Sequence, residues 1–367
     1  MNYEQRNPVP LPAGAAWQAI RTTMDSVFDW EYALRRADLL ALYEKGKSAS
    51  WNASDLDWSI DVDLERMIRQ RQEQGMGGLL NQLLNPPRQL EPREVIELQL
   101  HMNGFLLSQF LHGEQGALLA SAKIAQQVPW AEAKLYAANQ AADEARHVEV
   151  YHRYLTEKLC LSFEVHPSLQ QLLGEILRDS RWDVTYLGMQ ILVEGLALAA
   201  FGMMRLMMAS EPLIQDITTR IMGDESRHVA FGVLSLQGLY TKELSASELR
   251  EREDFVIEAT HLMRDRLLMH QVFERLGWDS RVWIPWMQET PFMRGFRQML
   301  FSKVVPNLKR LGLLTPRVRD AYARLDLLRF EGLRDSVEEP DVLPPAELVQ
   351  LLLEFRGPQS SDAPAPR

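Results

Sequence analysis

The chain has 367 residues, 46% of them apolar, enough for one large domain or two ordinary ones around a sizeable core. A formal net charge of −10 argues against a nucleic-acid partner, whose phosphates would be repelled. Cys160 is the only cysteine, so no intrachain disulfide is available and a reducing compartment is expected. The opening MNYEQRNPVP lacks the apolar core of a secretory signal, and the longest stretch free of charged residues, 98–113, is shorter than a membrane span; the expected location is cytoplasmic, without a membrane.

In chain order, residues 17–47 read as a helix, 48–63 as a polar turn segment and 75–87 (GMGGLLNQLLNPP) as a loop. The GMGG of that loop lacks the strand-then-helix setting of a nucleotide-binding turn, and the basic RMIRQRQ at 66–72 reads as a solvated helix face. From about Pro92 to Met269 apolar residues recur three and four apart. Pro92, Pro129, Pro167 and Pro212 stand where helices can begin, and they divide this region into long helices over 93–127, 129–160, 168–209 and 212–241. A fifth helix is expected over 245–276. Residues 290–336 look helical again, and PQSSDAPAPR reads as a disordered tail. Long helices with short connections predict an all-α bundle.

Two of these helices carry nearly the same phrase, ADEARHVEVY at 142–151 and GDESRHVAFG at 223–232. Positions i and i+3 of a helix share a side, so Glu144 pairs with His147 and Glu225 with His228. One ExxH is weak, being most often a solvated surface pair; two copies on two long helices are not. The other two helices each carry a single acid in an apolar run, Glu114 in FLLSQFLHGEQGALLA and Glu194 in YLGMQILVEGLALAAFGMM, where an unpaired charge would be costly to bury. Folded together, Glu114, Glu144, His147, Glu194, Glu225 and His228 would present four negative charges and two imidazoles, a set matched to two divalent ions of iron or manganese. Asp143 and Asp224 are placed to orient the histidine of the opposite helix, and Arg146 and Arg227 to neutralise those aspartates. Ordinary surface salt bridging is the bland alternative for these four.

These motifs, with LYEKGKSASWNASDLDWS upstream, resemble the ferritin-like di-iron carboxylate superfamily, and within it the ribonucleotide reductase small subunit and the oxidases similar to it. The resemblance spans roughly residues 38–241. It implies a ferritin-like four-helix bundle over 91–276, an N-terminal helical extension packed on it over 1–90, a C-terminal helical extension over 277–356 and a disordered tail over 357–367. By the same resemblance Trp51 joins Asp224 and His147 in an electron or radical relay, and Tyr151 takes the place of a radical tyrosine. Simple core packing is the competing reading for both aromatics. The chain also departs from its relatives. Glu114 stands where many reductase subunits have Asp, and the tail lacks the aromatic residue of a reductase subunit. Met189 and Gly116 replace the cross-linking Tyr and Val of the ligand-binding oxidases. Ile221 replaces the seventh ligand, a His, of arylamine N-oxygenases, while Ala197 and Leu198 replace the Thr of desaturases and hydroxylases.

Around the expected metals the wall is apolar. Phe110, Ala117, Leu118, Ala197, Leu198 and Phe201 are the candidate substrate-pocket residues, and they suit an apolar or acyl-like molecule. The leading functional expectation is therefore a di-iron oxidase or monooxygenase, with Mn/Fe as a variant, acting on O2 and a small organic substrate. It would draw electrons from an external donor such as a ferredoxin or flavin reductase, since no nucleotide-binding glycine motif is present, and a homodimer would be ordinary. In that reading Glu114, Glu194, Tyr151 and Trp51 are the residues nearest the chemistry. The alternatives are a radical-storing subunit of a partner enzyme, and an iron-storage or structural helical protein, against which the long extensions speak.

Overall fold

The computed structural model describes residues 18–73 and 86–338. The GMGG segment at 75–78, the first residue of the stretch 17–47 and the tail 357–367 lie outside the described residues. Among the described residues all regular structure is helical: α1 (Ala37–Ser48), α2 (Leu64–Glu73), α3 (Pro92–Gln127), α4 (Ala131–Arg153), α5 (Pro167–Arg178), α6 (Trp182–Met207), α7 (Pro212–Gly238), α8 (Ala246–Asp265), α9 (His270–Leu276), α10 (Ser280–Glu289), α11 (Pro291–Met299), α12 (Val304–Arg310) and α13 (Pro316–Arg324).

The bundle is made of two helix pairs. The α3–α4 pair turns through residues 128–130 and the α6–α7 pair through 208–211, connections short enough to force neighbours to pack along each other. Proline opens α3, α5 and α7 at the first turn, where its missing N–H costs nothing. Glu211 caps α7 with both carboxylate oxygens, accepting from the N–H groups of Leu213 and Ile214 at 2.8 and 2.7 Å. α6 is long and apolar enough to cross a membrane by length and composition alone, but 94% of its apolar window is buried inside the protein; it is the core helix of the bundle. α1 lies across α4 and α7, α2 leans on α3, and α12 packs on α6 and α7.

Three expectations from the sequence need correction. Residues 18–36 are not helical: their backbone is spent on the bundle surface, where Val27 N–H donates to Gln126 O at 2.8 Å and Arg36 N–H to Glu132 Oε1 at 2.7 Å, so the helix starts only at Ala37. The helix expected over 168–209 is two helices, α5 and α6. Lys123 Nζ, reaching across from α3, donates to the carbonyls of Ile176, Leu177 and Asp179 and so ends α5 from outside, while Asp179 folds back onto Arg181 N–H at 2.9 Å. The fifth helix is likewise interrupted. A 3₁₀ turn, Arg266–Leu268, leads into Met269 at φ 56°, and α9 starts from that left-handed joint.

Three of the long helices also contain wide turns with i→i+5 bonding: Tyr154–Leu159 after α4, Leu187–Val193 inside α6 and Leu239–Glu243 after α7. The one inside α6 ends immediately before Glu194. Opposite it, α7 comes close enough that a Cβ on Gly232 would stand 2.6 Å from Gln190 Cβ. Only a glycine leaves room there for the wide turn to seat its glutamine.

Candidate metal centre

The long helices bring Glu114 (α3), Glu144 and His147 (α4), Glu194 (α6), and Glu225 and His228 (α7) to one place in the bundle, each at most 5% exposed. They form two overlapping groups, Glu114–Glu144–His147–Glu225 and Glu144–Glu194–Glu225–His228, in each of which the donor atoms lie within 4.8 Å of one another. His147 Nδ1 is 3.3 Å from Glu114 Oε2, and 3.2 Å from both Glu144 Oε2 and Glu225 Oε1. His228 Nδ1 is 3.0 Å from Glu144 Oε1 and 3.5 Å from Glu225 Oε1.

Without a cation this arrangement is unsatisfied. Both carboxylate oxygens of Glu225, one of Glu194 and Nδ1 of His228 are buried and make no hydrogen bond. Burial, then the neighbouring Glu225 charge, holds the Glu114 and Glu194 carboxyls well above the usual carboxylate range. Oxygen and imidazole donors, closed packing and crowded negative charge are what hard-to-borderline divalent ions require, so the residues fit a pair of metal ions.

The surrounding residues follow the same two-fold pattern. His147 Nε2 lies 3.1 Å from Asp224 Oδ2, and His228 Nε2 lies 3.2 Å from Asp143 Oδ2, so each imidazole is steadied by the aspartate of the opposite helix. Each aspartate is paired in turn with the arginine three residues on, Asp143 with Arg146 and Asp224 with Arg227. The symmetry breaks at the third partner. Trp51 Nε1–H donates to Asp224 Oδ2 at 2.7 Å, whereas Asp143 Oδ2 accepts from Asn139 Nδ2 at 3.1 Å. The Trp51 ring lies 19° from parallel with His147, centroids 6.3 Å apart, and the guanidinium carbons of Arg146 and Arg220 each sit 5.7 Å from its centre. Tyr151 is fully buried with its hydroxyl unpartnered, its ring 5.9 Å from Phe110 and 6.2 Å from Phe201. Burial, then the Glu114 charge, pushes the Tyr151 phenol well above its ordinary value.

Sequence reasoning missed two glutamines. Gln140, one turn before Glu144, donates to Glu144 Oε1 at 3.1 Å and to Glu194 Oε1 at 2.9 Å; Gln190, in the wide turn of α6, donates to Gln140 Oε1 at 3.4 Å. A lone Gln in the apolar run of α6 was the available signal.

Of the candidate pocket residues, Phe110, Ala117, Ala197 and Phe201 line a void beside Glu114, Glu194 and Glu225; Leu118 and Leu198 do not. The void lies on the i+3 side of Glu114 and of Glu194, and the i+4 residues turn past it. Its volume is about 20 Å³, close to one water, so this conformation is closed to an organic molecule. Arg266, which the sequence reading did not select, lines it as well.

Fold and site together define an all-α protein, a helical bundle whose core is built around a carboxylate–histidine cluster fitted to two metal ions. No known family profile matches the chain, and no curated protein matches it. Solved structures similar to it include a glycine-to-phenylalanine mutant of an R2-like ligand-binding oxidase with an anaerobically reconstituted Mn/Fe cofactor. It is 19% identical over 80% of this chain and 94% of that one, with a TM-score of 0.45. A valine-to-isoleucine mutant of an R2-like ligand-binding oxidase, with an aerobically reconstituted Mn/Fe cofactor, is 16% identical over 82% and 94%, with a TM-score of 0.42. Likeness at that level assigns no chemistry to this chain, whose class rests on its own six side chains.

Proposed function

We propose that the protein is a di-metal oxidase or monooxygenase that uses O2 to oxidise a small organic molecule, with two iron ions or one manganese and one iron. The observation that supports this reading best is the pair of overlapping ligand groups sharing Glu144 and Glu225. Glu114 and His147 would help to hold one ion and Glu194 and His228 the other, with Glu144 and Glu225, which belong to both groups, available to either. Two such ions, when bound, supply the site at which O2 binds and is reduced.

The protein's own groups do the rest. The Nε2–H groups of His147 and His228 point at Asp224 and Asp143, which leaves Nδ1 free for metal and fixes both rings. Gln140 holds one oxygen of Glu144 and one of Glu194 against rotation. Phe110 and Phe201, centroids 4.7 Å apart, close the apolar side and keep bulk water from the centre. Trp51, Asp224 and His147 form one hydrogen-bonded line from the α1–α2 connection to the metal cluster, suited to delivering electrons singly from an external donor.

The test is anaerobic loading with ferrous iron, followed by metal analysis, Mössbauer spectroscopy and O2 uptake. Two ions per chain and consumption of O2 are expected; a chain that takes up only stray iron and leaves O2 untouched would refute the reading. A radical-storing subunit is the second reading, favoured by the same Trp51 line and by the unpartnered Tyr151 hydroxyl. It requires a stable radical after oxygenation that vanishes in Tyr151→Phe.

A further inference from the structure

A cleft of about 590 Å³ lies where the last turn of α8, α11 and the end of α13 meet, and none of the six cluster residues lines it. Five arginines and two aspartates stand in its lining, a net charge of +3. Both aspartates are already engaged, Asp265 by Arg264 at 2.7 Å and Asp326 by Arg329. Among the described residues Arg294, Arg297 and Arg324 have no carboxylate partner. Three like charges that face one cleft without a counter-charge repel one another, and an anion between them would relieve it.

Arg297 is not an ordinary solvated arginine. It is 7% exposed, and its guanidinium donates to the carbonyl oxygens of Met287 and, at 2.6 Å, of Gln288, both at the end of α10. Those bonds fix the orientation of the group and leave its charge in place. Burial, then the neighbouring Arg264 charge, pull Arg297 down to about 10. A buried cation ordinarily has a partner, and keeping one without is costly. Arg294 stands one turn before Arg297 on α11, so the two share a side of the helix, and Arg324 reaches the cleft from the last turn of α13. The rest of the lining includes an apolar floor of Leu268, Phe301 and Leu327, none more than 7% exposed.

We propose that this cleft binds a diphosphate ester of a small organic molecule, its phosphoryl oxygens held by Arg294, Arg297 and Arg324 and its organic part laid on Leu268, Phe301 and Leu327. A diphosphate monoester carries about three negative charges at pH 7, which matches the three arginines that lack a carboxylate. The guanidinium fork suits phosphoryl oxygens, and Arg297 is already turned and held by the two carbonyls. The volume falls within the range of roughly 300–1,000 Å³ usual for small-molecule sites. A concave cleft with an apolar floor favours such a molecule over the acidic surface of a protein. The inference is independent of the metal centre and of any oxidation performed there.

Calorimetric titration into the full chain, metal-free and metal-loaded, tests this with ADP and isopentenyl diphosphate as probes, against AMP, isopentenyl phosphate and inorganic pyrophosphate. At least one diphosphate ester is expected to bind about tenfold or more tightly than its own monophosphate, the margin of one further charge-assisted contact, and more tightly than pyrophosphate. Which of the two esters is preferred tells whether the organic part is a nucleoside or a hydrocarbon. Arg294→Ala and Arg324→Ala, both at exposed positions, should each weaken binding by about tenfold with unchanged melting temperature. Arg93→Ala, an exposed arginine away from the cleft, should leave it unchanged. Binding of neither ester, or binding indifferent to Arg294→Ala and Arg324→Ala, overturns the proposal. So does a diphosphate held no better than its monophosphate or than pyrophosphate. Binding confined to the metal-loaded chain also overturns it, since the ions and not the arginines would then hold the phosphates.

Discussion

Replacing Asp143 or Asp224 by asparagine separates two functions that the near-symmetry of the centre would otherwise confound. Each carboxylate faces donors on both oxygens: Asp143 takes His228 and Asn139 on Oδ2 and Arg146 on Oδ1, and Asp224 takes His147 and Trp51 on Oδ2 and Arg227 on Oδ1. An asparagine must turn its NH2 towards one of those donor sets, so one side always meets donor with donor. The imidazole it served becomes less basic and less well aimed, which typically costs about 10- to 100-fold in metal affinity, or ~1.4–2.7 kcal/mol. Only one ion should weaken in each variant, because each aspartate serves one histidine. Competition with a chelator under anaerobic conditions reads this directly: one ion retained at parental affinity and one released earlier. The asymmetry lies in electron delivery, since Trp51 reaches only Asp224. With the metals saturated, Asp224→Asn should slow single-electron reduction of the centre while Asp143→Asn leaves it near the parental rate. Equal slowing in both variants would remove Trp51 from the relay, and equal loss of both ions in either would show that the aspartates do not act through individual histidines.

Three further outcomes follow from the geometry. Glu225→Ala should lose both ions rather than one, since Glu225 belongs to both groups and its two oxygens are otherwise unpaired; metal analysis after desalting decides. Gly232→Ala would set a methyl 2.6 Å from Gln190 Cβ, so overpacking of about 1–3 kcal/mol is expected in denaturant melts, with a disturbed Gln140 contact to Glu144 and Glu194 changing the spectrum of the loaded centre. His166 is held near 4 against an ordinary 6.5, so between those values the unfolded chain binds a proton that the folded chain refuses. Stability should therefore fall as pH drops from 6.5 to 4, by up to about 3 kcal/mol, and His166→Asn, which keeps an acceptor for Ser168 N–H, should flatten that slope in pH-dependent melts.

Much of the centre was legible because metal chemistry forces polar residues into places where packing alone would not put them. Glu114 and Glu194 stand out as single acids in apolar helices, and the doubled ExxH fixes the other four ligands by spacing. Asp143 and Asp224 were readable from recurrence, and the structure places each against the histidine of the other helix. The helix breaks were not readable, since Lys123 ends α5 from a residue some fifty positions away, and helical periodicity does not register a carbonyl cap delivered through space. Arg266 escaped for the opposite reason: in RDRLLMH it looks like one more solvated charge, and only the packing of α9 on α3 and of α8 on α5 and α6 turns it inward. Leu118 and Leu198 were chosen on helical proximity, which cannot tell the i+3 side of a glutamate from the i+4 side until the neighbouring helices are in place.

The wide turn of α6 has a bearing on how this centre tolerates change. An ordinary helix advances about 100° per residue, so one residue more or fewer ahead of Glu194 re-aims everything that follows. Leu187–Val193 accommodates such an extra residue within the helix, so a change of one residue there can be taken up by the wide turn itself. Deleting a single apolar residue from it would tighten the turn into ordinary helix and leave Glu194, Ala197 and Phe201 facing the cluster, whereas the same deletion in the uninterrupted helix ahead of Glu114, with no bulge to absorb it, would rotate Glu114 away from its partners.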